Sequence, residues 1–247
     1  MKAMIFAAGL GTRLKPITDT IPKALVTIQS VTMLEIAIRK LINAGVDSLI
    51  INIHYRGEQI KDFLKANRNF GINIQLSDES DLLLDTGGGL EKAKHFFDKN
   101  ESFFLYNVDI LTETNMKKMW NVHQSGNNLA TLLLNERTSD RNFLFDENQI
   151  LCGWTSHSKK QTIVSSGIPK VLFHKAFCGI HVVSPLFFNF LEDFKMKQVF
   201  SIVDVYLKIA ETQTIKGYID NESYWNDVGK PENLNDAQKY FSEKLWN

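Results

Sequence analysis

The chain has 247 residues, 44% of them hydrophobic, and carries 28 Lys plus Arg against 28 Asp plus Glu. That balance leaves no overall charge to attract a nucleic acid or a membrane surface, so an anion site has to come from a local concentration of cations. The length and hydrophobic content suit one α/β domain over residues 1–247, and two isolated cysteines, Cys152 and Cys178, are too few for a disulfide framework or a zinc site.

Ala3 to Ala8 is an apolar run that reads as a buried first strand. It is too short for a secretory leader, and no stretch reaches membrane-spanning length, so the expected compartment is the cytoplasm. The run breaks into Gly9-Leu10-Gly11-Thr12-Arg13. Glycines let the backbone turn sharply and bring its N–H groups to an anion. Arg13 adds a planar fork of donors, and Lys23, behind Pro22, adds a point charge. The loop is neither a dinucleotide fingerprint, because Leu14 stands where a third glycine is needed, nor a Walker loop, because Gly229-Lys230 is followed by Pro231. A strand, a glycine turn, Arg and Lys together form a place for a polyphosphate.

Further along, Thr32 and Glu35 fit a capping box opening a helix that runs to about Ala44 and stops at Gly45. Ser48 to Ile53 reads as a strand, Gly57 to Asn67 as a helix and Ile72 to Leu76 as a strand. This alternation predicts a three-layer α/β fold, a mostly parallel sheet with helices on both faces, whose ligands sit beyond the carboxyl ends of the strands. Asp85-Thr86-Gly87-Gly88-Gly89 precedes a helix expected over Leu90 to Phe97. Three adjacent glycines suggest close approach to a flat ligand. Ser102 to Val108 is an apolar strand ending at Asp109, a carboxylate that is costly there unless paired, capping a turn or holding metal. Leu129 to Leu134 reads as a strand. Phe143 to Phe145 and Ile150 to Trp154 form a predicted hairpin, and the polar stretch 155–170 is expected to leave the core sheet. Ala176 to Val183 is a strand with Cys178-Gly179 inside it. Helices are expected at Pro185 to Phe194 and at Ser201 to Ala210, with Ser201 as N-cap and Asp204 as its capping-box partner. Tyr224-Trp225-Asn226-Asp227-Val228-Gly229 then leads to a helix starting at Pro231-Glu232.

AAGLGTRLKP followed by PKAL resembles the signature of the sugar-1-phosphate nucleotidylyltransferases, and the likeness runs to about residue 240. The resemblance implies a Rossmann-like nucleotidyltransferase fold with a small β excursion for the sugar. It implies a reaction joining a nucleoside triphosphate to a sugar 1-phosphate, with release of pyrophosphate. It puts the nucleotide on Ala8, Gly9, Gly11, Thr12, Arg13 and Lys23, with Gly87 and Gly88 lining the base. Asp109 and Asp227 are implied as ligands of Mg²⁺, although Val108 stands where the family usually has Gly. Asn107 and Gly179 are implied at the sugar. Arg13, Lys23, Asp109 and Asp227 are the expected catalytic set. The family's Glu-Lys-Pro triplet is missing, with Lys170 as a candidate substitute, and Cys178 replaces a Thr.

TGGG resembles the N-acetylmuramic acid 1-phosphate uridylyltransferase branch, which implies a role in cell-wall precursor synthesis and makes UTP with that sugar phosphate the expected pair. Mannose-1-phosphate guanylyltransferase and phosphocholine cytidylyltransferase are alternatives, and an inactive nucleotide-sensing subunit is the alternative of another class. Expected partners are these small molecules alone, in a monomer or small homo-oligomer.

Overall fold

The computed structural model describes residues 1–164, 171–191, 194, 197–240, 242 and 245; Lys170 and the rest of 165–170 lie outside them. The first half contains β1 (Lys2–Phe6), β2 (Thr27–Ile28), β3 (Val31–Thr32), α1 (Met33–Ala44), β4 (Ser48–Ile53), α2 (Gly57–Ala66), β5 (Asn73–Asp78), α3 (Asp85–Lys92), β6 (Phe103–Asn107), β7 (Ile110–Thr112) and α4 (Met116–Ser125). The second half contains β8 (Ala130–Asn135), β9 (Arg141–Phe145), β10 (Leu151–Ser156), β11 (Gln161–Val164), β12 (Phe173–Val183), α5 (Phe188–Leu191), α6 (Ile202–Ile209), β13 (Ile215–Ile219), β14 (Trp225–Asp227) and α7 (Pro231–Tyr240).

β6, β1, β4 and β5 pair in parallel, as the alternation of strands and helices predicts. Side chains of a strand alternate between faces, and here both faces are covered. Ala3 and Ile5 of β1 pack with Ile38 and Leu41 of α1, while Met4 and Phe6 pack on the other side with Leu90, Val205 and Tyr206. Burying each of Ile38 and Leu41 is worth about 1.5–3 kcal/mol. The mostly parallel sheet between two helical layers is the fold class expected from the sequence.

α1 starts and stops where its sequence says it should. Thr32 Oγ1 accepts from the Glu35 N–H at 3.1 Å, and Gly45, at φ 101°, returns its N–H to the carbonyls of Leu41 and Ile42. The Glu35 carboxylate accepts from Arg39 Nε at 2.8 Å, one turn further along the helix. Ser201 caps α6 through the Val203 N–H at 3.2 Å.

β12 organises the second half. Its carboxyl-terminal part runs antiparallel to β6 and β8, and its start pairs with β9. The register shifts between Phe177 and His181, where Gly179 takes φ 76°. This irregularity bends the strand beside the carboxyl end of β6. β9, β10 and β11 extend the sheet outward as the expected β excursion, so part of the polar stretch is strand. The two-stranded ribbon β7–β14 stands off the main sheet and places Asp227 opposite Ile110.

Candidate active site

A cleft of about 430 Å³ opens at the carboxyl ends of β1, β4 and β6, where an open α/β sheet places its ligands. Phe6, Ala8 and Gly9 line one side, Asn52, Glu79, Leu83, Asp85 and Thr86 another, and Lys23, Asn107 and Asp109 complete the lining. The glycine loop behaves as its sequence implies. A Cβ at Gly9 would meet nothing within 4 Å, so its backbone faces open space. Gly11 sits at φ 66°, and a Cβ there would fall 2.9 Å from Thr18 Cγ2. Both its backbone conformation and its neighbours therefore require glycine. Thr12, Arg13 and Leu14 form the single turn that follows, with Thr12 and Arg13 exposed.

The four expected catalytic side chains converge at one edge of this cleft. Lys23 Nζ is ion-paired with Asp109 Oδ2, each side chain 13% exposed. The β7–β14 ribbon brings Asp227 alongside, with the Val228 N–H donating to the Asp109 carbonyl at 3.0 Å. Gly229 is the meeting point: a Cβ placed on it would lie 2.7 Å from Arg13 Nη2 and 2.9 Å from both Asp109 Oδ2 and Asp227 Oδ1. Burial, and next the like charge of Asp109, push the Asp227 carboxyl above the usual carboxylate range, while the Gly229 N–H at 2.9 Å and Lys23 pull the other way.

The triple glycine has a different role from the one expected. Gly87, Gly88 and Gly89 lie inside α3, which begins at Asp85 rather than at Leu90. A Cβ on Gly87 would fall 2.4 Å from the Phe200 ring, and one on Gly88 2.2 Å from the Gln198 carbonyl oxygen. The Gly87 N–H donates to the Phe200 carbonyl at 2.9 Å. These two glycines accommodate the 198–200 segment and do not line the cleft; Asp85 and Thr86 do.

In β12, a Cβ on Gly179 would come 3.0 Å from Asn107 Nδ2, so the two expected sugar residues adjoin. The Cys178 side chain is 1% exposed, its thiol pushed up to about 12 by burial. It points into the protein, with Arg137 Nη1 3.4 Å from its sulfur. Arg137 also donates to the Phe177 carbonyl at 2.7 Å and lies 3.7 Å over the Trp225 ring, whose Nε1 donates to the Cys178 carbonyl at 3.0 Å.

Residues 2–143, carrying the glycine loop, Lys23 and Asp109, match the model of the nucleotidyl transferase family. The chain belongs to that family. Among curated relatives of this nucleotidyl transferase, the mannose-1-phosphate guanyltransferase of Gibberella zeae is 27% identical over 240 residues, covering 95% of the chain and 62% of the relative. That of Saccharomyces cerevisiae is 26% identical over 239 residues, covering 95% and 63%. The chain thus spans less than two thirds of those proteins. HddC from Yersinia pseudotuberculosis, solved with GMP-PN, superposes with a TM-score of 0.74 at 21% identity over 98% of this chain and 99% of its own. The inositol-1-phosphate CTP transferase from T. maritima does so at 0.75 and 15% identity, over 99% and 93%. These likenesses show the shared fold.

Several site residues of this nucleotidyl transferase escape a reading of the sequence. Asn52 and Glu79 are buried polar residues on the cleft wall, and Gly229 is the crossing point of the acid pair and Arg13. Asn52 leaves a signal, an amide inside the apolar run Leu49 to Ile53, and Gly229 stands in the Trp225 to Gly229 run that resembles the family; Glu79 leaves none that separates it from ordinary loop residues. Among the described residues no three His, Cys, Asp or Glu side chains gather as a metal cluster. The acid pair is what the protein offers a cation. Two hard carboxylates, one held above its usual range by burial and then by the charge of the other, form a donor set that a divalent cation with further oxygen ligands suits.

Proposed function

We propose that this protein transfers a nucleotidyl group from a nucleoside triphosphate to a sugar 1-phosphate and releases pyrophosphate. The observation that carries the reading is the convergence of Arg13, Lys23, Asp109 and Asp227 around Gly229 at the end of the cleft. A phosphate monoester has a second pKa of about 6 and is largely dianionic at neutral pH, so no general base is needed. The difficulty is bringing a dianion to a triphosphate, which is a task of positioning and charge neutralisation. Loop amides at Gly9 to Gly11 and the Arg13 fork hold the phosphates that leave as pyrophosphate. Lys23 offsets charge at the α-phosphate. Asp109 and Asp227 would hold Mg²⁺, which when bound supplies electrostatic stabilisation of the phosphoryl oxygens.

The relatives named above favour GTP and mannose 1-phosphate as the preferred pair over UTP and N-acetylmuramic acid 1-phosphate. Uridine is favoured only by TGGG, whose Gly87 and Gly88 pack against the 198–200 segment. The test is a matrix of four triphosphates against hexose 1-phosphates, N-acetylmuramic acid 1-phosphate and phosphocholine, reading Mg²⁺-dependent pyrophosphate release. The highest kcat/KM is expected for GTP with mannose 1-phosphate. No release with any pair would favour a nucleotide-sensing subunit.

A further inference from the structure

Two buried polar side chains on the cleft wall have no part in the chemistry above. Asn52, 3% exposed at the end of β4, accepts from the Ala7 N–H through Oδ1 at 2.7 Å. Its Nδ2 donates to Glu79 Oε1 at 2.7 Å. Glu79 is fully buried, and its Oε2 accepts from the Leu84 N–H at 3.0 Å. The Glu79 backbone is pinned as well, its N–H donating to the Ile53 carbonyl at 2.8 Å and its carbonyl accepting from His54 Nδ1 at 2.6 Å. A Cβ on Gly89 would lie 2.8 Å from Glu79 Oε1 and 3.1 Å from Asn52 Nδ2, so the third glycine of the run leaves room for this pair.

The four partners belong to different parts of the nucleotide site. Ala7 is among the last residues before the glycine loop, and Leu84 leads into Asp85 and Thr86 on the opposite wall. We propose that Asn52 and Glu79 are positioning residues: a directional relay, Ala7 N–H to Asn52 to Glu79 to Leu84 N–H, that sets the spacing between the phosphate loop and the base-side wall. The proposal rests on the nucleotidyl-transfer reading for its effect on binding, and on geometry alone for the relay.

The direction follows from counting donors and acceptors. Both ends are backbone N–H groups, so both ends must be met by acceptors. Between them one side chain has to be acceptor-only and the other an amide. Glu79→Gln gives two amides. If the introduced amide accepts from Leu84 it must present its NH₂ to Asn52, and Asn52 must then turn its own NH₂ toward Ala7. One buried N–H loses its partner whichever way the amides turn. Asn52→Asp sets a carboxylate against a carboxylate. The double variant Asn52→Asp with Glu79→Gln restores every bond with the polarity reversed and the same formal charge.

The experiment follows hydrogen exchange at the Ala7 and Leu84 amides and triphosphate affinity by calorimetry in all four proteins. Glu79→Gln is expected to speed exchange at one of the two amides and weaken triphosphate binding about tenfold, the factor that corresponds to one unmet buried donor. KM for the sugar phosphate should stay within about twofold. The double variant should recover protection at both amides and affinity to within about threefold of wild type, which a loss of packing would not do. If Glu79→Gln fails to fold, the double variant must still fold with the wild-type Tm. Unchanged exchange in Glu79→Gln, or a double variant no better than the singles, would overturn the relay. A wild-type protein that binds no triphosphate would instead overturn the nucleotide reading beneath it.

Discussion

The two ends of the cleft are built on different terms. At the proposed nucleotide end the residues follow one another closely: strand, glycine loop, Arg13 and Lys23 lie within the first 23 positions. At the proposed sugar end the residues expected from the family likeness, Asn107 and Gly179, come from separate strands, with Arg137 and Trp225 packed around Cys178 beside them. A triphosphate presents the same oxygens in every substrate, and a short backbone turn with two cations answers them. A sugar presents a shape, and shape is answered by surfaces assembled from several elements. The difference teaches that a chain can announce its reaction class in one stretch while its acceptor choice is spread across the fold.

The most direct way to break this comparison is to strike the point where the ends meet. Asp109→Asn and Asp227→Asn are each expected to lower kcat by on the order of a hundredfold or more, the scale of losing an electrostatic stabiliser at the reacting centre. Thermal melting should show both variants folded. Near-normal single-turnover rates at saturating Mg²⁺ would remove the acid pair from the reaction.

Gly229→Ala comes next. Its new methyl enters the space between Arg13, Asp109 and Asp227, so kcat should fall about tenfold, since misplacing reacting groups by a fraction of an ångström is costly. The Tm should change little, because the side chains displaced border the cleft. A wild-type kcat would mean that those three groups need no fixed spacing.

A smaller and more selective effect is expected from Arg137→Lys. The charge is kept, but the planar stack on Trp225 and the fork toward Phe177 are lost. A stacked cation of this kind contributes about 0.5–2 kcal/mol. KM for the sugar phosphate should rise several-fold while KM for the triphosphate holds, and equal rises in both would erase the distinction between the ends.

The last test leaves kcat and KM aside and separates the two halves of the sheet by acid. His181 in β12 is held down to about 3, and His123 of α4, hydrogen-bonded at 2.9 Å to Thr131 of β8, to about 4, both by burial. The folded values lie below the unfolded one, so the unfolded chain takes up protons first as pH falls. Stability is therefore full above about pH 6.5 and declines below it, by about 1.4 kcal/mol per histidine at pH 5.5. Both histidines support the β8–β12 half, so amide exchange measured between pH 7.5 and 5.5 should rise there before it rises in β1 and β4. Uniform loss across the sheet would show that the halves share one stability.

How much of this is legible in the sequence follows the same division. The parallel core, the caps of α1 at Thr32 and Gly45 and the loop at Gly9 to Arg13 are readable because each depends on neighbours within a few positions. The triple glycine misleads for a physical reason. Glycine reports that something comes close, not what, and at Gly87 and Gly88 the close neighbours are Phe200 and Gln198, over a hundred positions away. Arg137 is easily passed over because a cation stacked on a distant Trp looks in sequence like any loop arginine. Asp227 stands out only through the family likeness, since a carboxylate before a turn is ordinary by itself.

The β7–β14 ribbon has a consequence for how the molecule is made. Asp227 reaches Asp109 only after a strand from near the end of the sequence has paired with one from its middle. Closing so long a loop is among the late steps of folding. A ribosome adds about 5–20 residues per second, so the strands of the parallel core exist for several seconds before residue 227 is synthesised. The growing chain can settle its apolar layers while its two mutually repelling carboxylates are still apart. In the finished fold Lys23 sits beside Asp109 and offsets the repulsion between the two.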